Sequence, residues 1–265
     1  MLVPVYDPRD YNLKDWVMPV AGLMSGSGSN IVKLLEHQHK LKNQGNPAYR
    51  FVVLFSDRAE SNAVKIGKQF DVPVVTRDIE AFYRARNAPF KDMSVRAEFD
   101  AATVNALEPY DPAVAAYGGY MSIATPNLVE AFIGVNVHPA DLSVRTPEGK
   151  RKYTGDKAVA KAIAAGEKYL HSSTHIIGNQ VDYGPVLLIS NPMLVDPDKS
   201  PKENQDMLKE KGDWEIFPLA LELLARGRFQ MDVSASLGDI HEGKAPIYFD
   251  GKPMPNGIRL EELAK

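Results

Sequence analysis

Short apolar runs, too brief to be buried helices, recur through the first half of this chain. Each is closed by a polar or glycine-rich turn and followed by a segment of helical period. The clearest runs are Val20-Ala21-Gly22-Leu23-Met24, Phe51-Val52-Val53-Leu54-Phe55 and Ala113-Val114-Ala115-Ala116-Tyr117. A strand with both faces covered reads as a continuous apolar run rather than an alternating one. The helical segments between them are of the right kind. Ile31, Leu34 and Leu35 fall on one side with Lys33 and Glu36 on the other, residues 63–70 follow, and residues 92–107 present Phe99, Ala102, Val104 and Leu107. Strand and helix in alternation predict an α/β fold, doubly wound about a mostly parallel sheet.

The pattern changes after His138. Residues 140–155 are polar, with Arg145, Lys150, Arg151 and Lys152 around Pro147 and Gly149, and are expected to form a solvated surface loop. A helix is predicted over 158–165, β-rich runs over 172–177 and 186–195, and a last strong helix over 214–224. Asp250-Gly251, between Tyr248-Phe249 and Lys252, is a hairpin turn signal. These pieces suggest a mixed C-terminal edge to the sheet. With no repeat and no Pro/Gly/Ser linker, residues 1–265 are expected to form a single domain. Residues 1–16 are read as an irregular arm, loosely docked or part of a subunit contact, and 258–265 as a tail.

Composition narrows the chemistry. A chain of 265 residues can bury a full core. It has no cysteine, which excludes disulfides, thiolate nucleophiles and cysteine-ligated metals. A formal net charge of -3 argues against a nucleic-acid partner, which calls for a basic face. No stretch approaches the ~20 apolar residues of a membrane span. Met1 to Trp16 carries Asp7, Asp10 and Asp15 with no apolar run, unlike a signal peptide. A soluble, cytoplasmic protein without a membrane partner is expected.

The chemistry-bearing stretch is Gly134-Val135-Asn136-Val137-His138-Pro139. In a strand, residues two apart face the same way at about 7 Å. Asn136 and His138 should therefore look into one cavity while Val135 and Val137 face the core. Pro139 holds His138 extended and ends the strand. An amide able to donate to an oxyanion beside an imidazole able to carry a proton is half of an acyl-transfer site. Asp182, in Gln180-Val181-Asp182-Tyr183-Gly184-Pro185, is the candidate second acid.

Ser25-Gly26-Ser27-Gly28-Ser29-Asn30 lies between a predicted strand and helix, where backbone N–H groups can hold a phosphate. It lacks the lysine of a Walker loop and the third glycine of a dinucleotide fingerprint. It is either an anion site, best suited to a monophosphate, or a tight turn. His171 and His175 are too far apart along a strand, ~13 Å, to share one zinc. His175 either lines the cavity near His138 or only packs. His37 and His39 sit on a polar helix end and His241 in a polar tail, all three expected to be solvated.

These residues, in this order, resemble the folate-dependent formyltransferases, and within them the branch that formylates glycinamide ribonucleotide. Met24 to Asn30 resembles the family's substrate-phosphate loop, and Phe55-Ser56-Asp57-Arg58-Ala59 the turn after its second strand. Tyr117-Gly118-Gly119-Tyr120-Met121-Ser122-Ile123 resembles the segment bordering the folate. Asn136-Val137-His138-Pro139 and Val181-Asp182-Tyr183-Gly184-Pro185-Val186 are similar to its catalytic motifs, and Phe249 to Pro253 to its final hairpin. The resemblance runs from about residue 17 to 257. It implies a formyl transfer from 10-formyltetrahydrofolate, as co-substrate, to the primary amine of a phosphorylated small molecule in purine biosynthesis, with no metal. By the same resemblance Asn136 would donate to the oxyanion. His138 would bind it or handle the amine proton, and Asp182 would bias His138 towards its charged form and relay the proton. Folate would lie against Tyr120, Met121, Ser122 and Ile123 and against Asn179, Gln180 and Val181. Either a monomer or a homodimer is compatible with it.

The sequence also departs from the family. Ser122 stands where an arginine is common, Asp213 where a glutamate meets the acceptor amine, and Asp141-Leu142-Ser143 where Leu-Leu-Pro is usual. The acceptor therefore stays open between glycinamide ribonucleotide and a different amine, with hydrolysis of 10-formyltetrahydrofolate as the alternative reaction. Basic residues over an acceptor site would suit a more anionic acceptor; a solvated loop is the other reading.

Overall fold

The structure is a computed structural model, and it describes residues 1–11, 16–242 and 245–263. Residues 12–15 of the arm and the last two residues of the tail lie outside the described residues. The chain divides into two compact units, Asp7–Val135, and Met1–Tyr6 together with Asn136–Lys265. It crosses from one to the other inside the strand Ile133–His138.

In the unit built from Asp7–Val135, strand Met18–Met24 runs parallel to Tyr49–Ser56 on one side and to Val114–Tyr117 on the other. Val74–Thr76 adds a further parallel strand beside Tyr49–Ser56. Every residue of Met18–Met24 is buried, as its unbroken apolar run requires. Helix Ser29–Asn43 buries Ile31, Leu34 and Leu35, and helix Met93–Leu107 buries Phe99 and Leu107. Asp92 and Asp78 cap their helices through side-chain acceptors on the first-turn N–H groups. The fold class is α/β with mostly parallel strands, as the alternation predicts.

The other unit is mixed. Ser173–Ile176 lies antiparallel to Val186–Ile189, and Ile258–Arg259 pairs parallel with the latter. Helix Trp214–Ala225 packs on these strands, entered through a π-helical turn, Lys209–Asp213. Helix Pro201–Leu208 starts with a capping box, Ser200 and Glu203 bonding each other's backbone N–H groups.

Two terminal expectations are corrected. The arm is not irregular at its start: Leu2–Pro4 forms a strand antiparallel to Phe229–Asp232, and Val5 and Tyr6 are buried. Edge pairing is available because, among the described residues, Phe229–Asp232 otherwise pairs only with Tyr248–Phe249. Nor is the tail free, since Ile258–Arg259 completes a strand pair and Arg259 bonds Asp141 at 2.8 Å. Tyr248–Phe249 and Lys252–Pro253 form the expected hairpin, with Asp250 and Gly251 both at positive φ, +47° and +80°. Among the described residues no helix is long and apolar enough to cross a membrane.

Candidate active site

The strand Ile133–His138 does what its alternation predicts. Val135 and Val137 are buried, each side chain contributing roughly 1.5–3 kcal/mol of burial. Asn136 and His138 point to the opposite face, where Asn136 meets His175 and His138 meets Asp182, two partners that touch each other. His138 Nδ1 lies 3.4 Å from Asp182 Oδ2, and His175 Nε2 lies 3.5 Å from Asp182 Oδ1. Asn136 Nδ2 sits 3.2 Å from His175 Nε2. The structure thus brings Asn136, His138 and Asp182 together, and adds His175, which the sequence left between lining and packing.

Asp182 owes its place to a left-handed backbone, φ +58°. Aspartate tolerates that conformation better than most side chains. Two residues on, Gly184 passes so close to the neighbouring strand that an added Cβ would lie 1.8 Å from the Ile176 carbonyl oxygen. The Gly155 N–H donates to Asp182 Oδ2 at 2.7 Å, and Arg151 Nη1 donates to the Asp182 carbonyl.

A single segment, residues 151–155, therefore supports the His138–Asp182 pair. It also supplies the Tyr153 carbonyl, 2.9 Å from His138 Nε2. Tyr153 is held in turn by a cluster with Ala158, Val159, Ala162 and Leu170, and by its hydroxyl on Glu167. The solvated loop expected here is half wrong. Lys150 and Lys152 are exposed, but Arg151 is buried. Pro147 and Gly149 between two basic residues were the available sign of a hairpin, in which alternate residues face opposite ways.

Electrostatics separate the two acids. Burial pushes the Asp182 carboxyl up, but the bond to His175, the positive charge that His138 and His175 carry when protonated and the Gly155 N–H outweigh it and hold it well below the usual carboxylate range. Burial lowers the His138 pKa more than Asp182 raises it, so the imidazole is held below its ordinary value. Asp182 does pull His138 towards its charged form, as expected, but desolvation is the larger influence. Among the described residues no group of three or more His, Asp or Glu is arranged to hold a metal ion.

Asp213 is buried at the end of the π-helical turn and accepts from Ser172 Oγ. Ser172 and Ser190 exchange further bonds, the Ser172 N–H to Ser190 Oγ and the Ser190 N–H to the Ser172 carbonyl. Asn179, Gln180 and Val181 form an exposed turn, with the Asn179 N–H on the His241 carbonyl at 3.1 Å. His241 is buried rather than solvated. His37 is half-buried and stacks on Tyr49.

The remaining predicted residues belong to the other unit. Ser25, Gly26 and Ser27 form the turn, with Gly26 and Ser27 exposed, while Ser29 and Asn30 already lie in the first helical turn. Gly28 caps the helix at φ +67°, where an added Cβ would sit 2.5 Å from Ile66 Cδ1. Ser25 Oγ accepts from the Met121 N–H at 2.8 Å, tying the loop to the segment read as folate-bordering. Within that segment Met121 and Ile123 are exposed, and Ser122 donates to Asp57. Tyr120 is turned inward, edge-on to Tyr117.

Residues 18–221 match the family model described as formyl transferase. Phosphoribosylglycinamide formyltransferase of Haemophilus influenzae is 25% identical over 238 residues, covering 89% of this chain and 95% of that protein. The Escherichia coli protein of the same name is 24% identical over 240 residues, covering 90% and 96%. Among solved structures, the Coxiella burnetii phosphoribosylglycinamide formyltransferase in complex with CHES shares the fold with a TM-score of 0.69 and 24% identity, over 92% of this chain and 99% of that one.

Proposed function

Because this chain belongs to the formyl transferase family, we propose that it moves a formyl group from 10-formyltetrahydrofolate to the primary amine of a phosphorylated small molecule, with glycinamide ribonucleotide of purine biosynthesis as the acceptor. The observation that carries this reading is the Asp182 carboxylate set between His138 and His175, with the Asn136 amide alongside.

In the proposed step the amine nitrogen attacks the formyl carbon, a C–N bond forms, and the carbonyl electrons move to oxygen. Asn136 Nδ2 donates to that oxyanion, a contribution of roughly 3 kcal/mol to barrier lowering at comparable sites. His138 Nε2, which carries a proton because its partner is a carbonyl, is a second donor for the same oxygen once it leaves Tyr153. Asp182, held ionised and so a weak base, relays the proton that the attacking amine must lose through water towards the departing folate nitrogen. Collapse of the intermediate breaks the bond to the folate nitrogen, which leaves with a proton.

The phosphate falls to Ser25 to Asn30, the turn into a long helix that starts at Gly28, because a helix N-terminus favours an anion. Asp213 is the proposed partner of the acceptor amine. The folate is assigned to Tyr120 to Ile123 and to Asn179 to Val181, whose exposed Met121, Ile123 and Val181 offer apolar surface to a flat ring.

The test is release of tetrahydrofolate from 10-formyltetrahydrofolate with and without glycinamide ribonucleotide, beside the Asp182→Asn variant. Turnover that needs the acceptor and is lost in the variant is expected. Turnover without any acceptor would mean hydrolysis, and none with either would overturn the acceptor assignment.

A further inference from the structure

We propose that the hairpin following the histidine strand carries an oxyanion-binding subsite formed by Arg145 and Arg151. The subsite takes a phosphate or carboxylate group of a small-molecule ligand. It goes beyond formyl transfer and does not depend on it.

Residues 144–152 are an ordered hairpin. The Lys152 N–H bonds the Val144 carbonyl at 3.0 Å and the Thr146 N–H bonds the Lys150 carbonyl at 2.7 Å. Gly149, at φ +80°, returns its N–H to the Thr146 carbonyl at the tip. Arg145 and Arg151 are direct antiparallel partners across this ladder. Directly opposite residues project from the same face with their Cβ atoms about 5 Å apart, and like charges so placed repel. Neither arginine reaches a carboxylate within ion-pair distance among the described residues.

The two guanidiniums differ in a way that suits a ligand site. Arg151 is only 7% exposed. One of its nitrogens donates to the Asp182 carbonyl, and its guanidinium carbon lies 5.7 Å from the Tyr183 ring centre. Its Nε is buried with no acceptor. A buried N–H without a partner costs roughly 1–3 kcal/mol, so an acceptor at that position is favoured. Burial, and then the charge of Arg145, lower the Arg151 pKa to about 10, which still leaves it protonated at neutral pH.

Arg145 is exposed and able to swing over the same face. A fixed guanidinium beside a mobile one offers the paired donors that phosphate and carboxylate oxygens accept. The neighbouring lysines are not part of this set. Lys152 points the other way, 3.4 Å from Glu167 and over the Tyr153 ring.

The test uses the full chain labelled with ¹⁵N-arginine, following the side-chain Nε–H signals by NMR. Inorganic phosphate and glutarate are titrated separately at constant ionic strength against sodium chloride. The Arg151 signal, assigned by its loss in Arg151→Lys, is expected to shift saturably with at least one of them. Arg145→Gln should weaken that binding by about tenfold with backbone amide signals elsewhere unchanged, and Arg145→Lys should weaken it less. Saturation by phosphate alone identifies a phosphate ligand, and by glutarate alone a carboxylate. No saturable shift, the same shift with chloride, or an unchanged titration in Arg145→Gln would overturn the subsite.

Discussion

His138 Nε2 lies 2.9 Å from the Tyr153 carbonyl oxygen, and that pairing decides where the ring's proton sits. A carbonyl can only accept, so Nε2 is the donor and Nδ1 is the nitrogen left facing Asp182. Burial works against a second proton on the ring and outweighs the pull of the carboxylate 3.4 Å away.

Acidification should therefore act on this ring early. The folded state holds the His138 pKa below its ordinary value of about 6.5, so the unfolded chain binds the proton more readily. The stability contributed by the neutral ring is present above about pH 6.5 and is lost as pH falls through the folded pKa. Melting temperatures of wild type and His138→Gln between pH 8 and 5 should show the advantage of the wild type shrinking on the acid side. A gap that stays constant over that range would remove the argument.

Replacing Asp182 with asparagine should abolish chemistry while keeping the turn, because asparagine also accepts a left-handed backbone at φ +58°. Loss of the ionised acid is expected to lower kcat by about 100-fold or more. Circular dichroism should be unchanged. A variant that has lost its fold along with its rate would show that the residue is mainly structural.

Gly184→Ala is predicted to be strongly destabilising, by about 3 kcal/mol. The new methyl would meet the Ile176 carbonyl, a backbone atom that cannot rotate away. Urea unfolding at neutral pH measures the loss. A cost below half that value would mean that the strand moves aside easily.

Asp100 is buried and accepts from both the N–H and the hydroxyl of Thr125, while its other oxygen has no partner among the described residues. Burial raises its pKa, so ionisation at neutral pH works against the fold. The sign is opposite to that of Asp182: wild type loses stability as pH rises through the raised pKa. Asp100→Asn, which cannot ionise, should gain on the wild type between pH 4 and 8. Parallel stability curves would contradict it.

Much of the architecture was legible because burial on both faces leaves a plain trace. Met18–Met24 and Val114–Tyr117 could hardly be read otherwise. The pairing of Asn136 with His138 followed from strand period alone. What escaped notice depends on contacts between distant segments. Nothing local in Lys150-Arg151-Lys152 says that the middle residue is buried against the Asp182 carbonyl. His175 looks like any strand histidine until Asp182 is folded beside it. The strand at Leu2–Pro4 was invisible because its partner lies more than two hundred residues away, at Phe229–Asp232.

The left-handed backbone at Asp182 also limits how this chain can drift under mutation. With the proposed function, position 182 answers to two separate demands, a turn that few side chains tolerate and a carboxylate that few can replace. Asparagine and glycine satisfy the first and fail the second. A descendant that abandoned catalysis would therefore be expected to carry one of those two residues there, and to persist as a sound, ligand-binding shell. Glutamate, chemically the nearest substitute, would keep the charge but lose the turn.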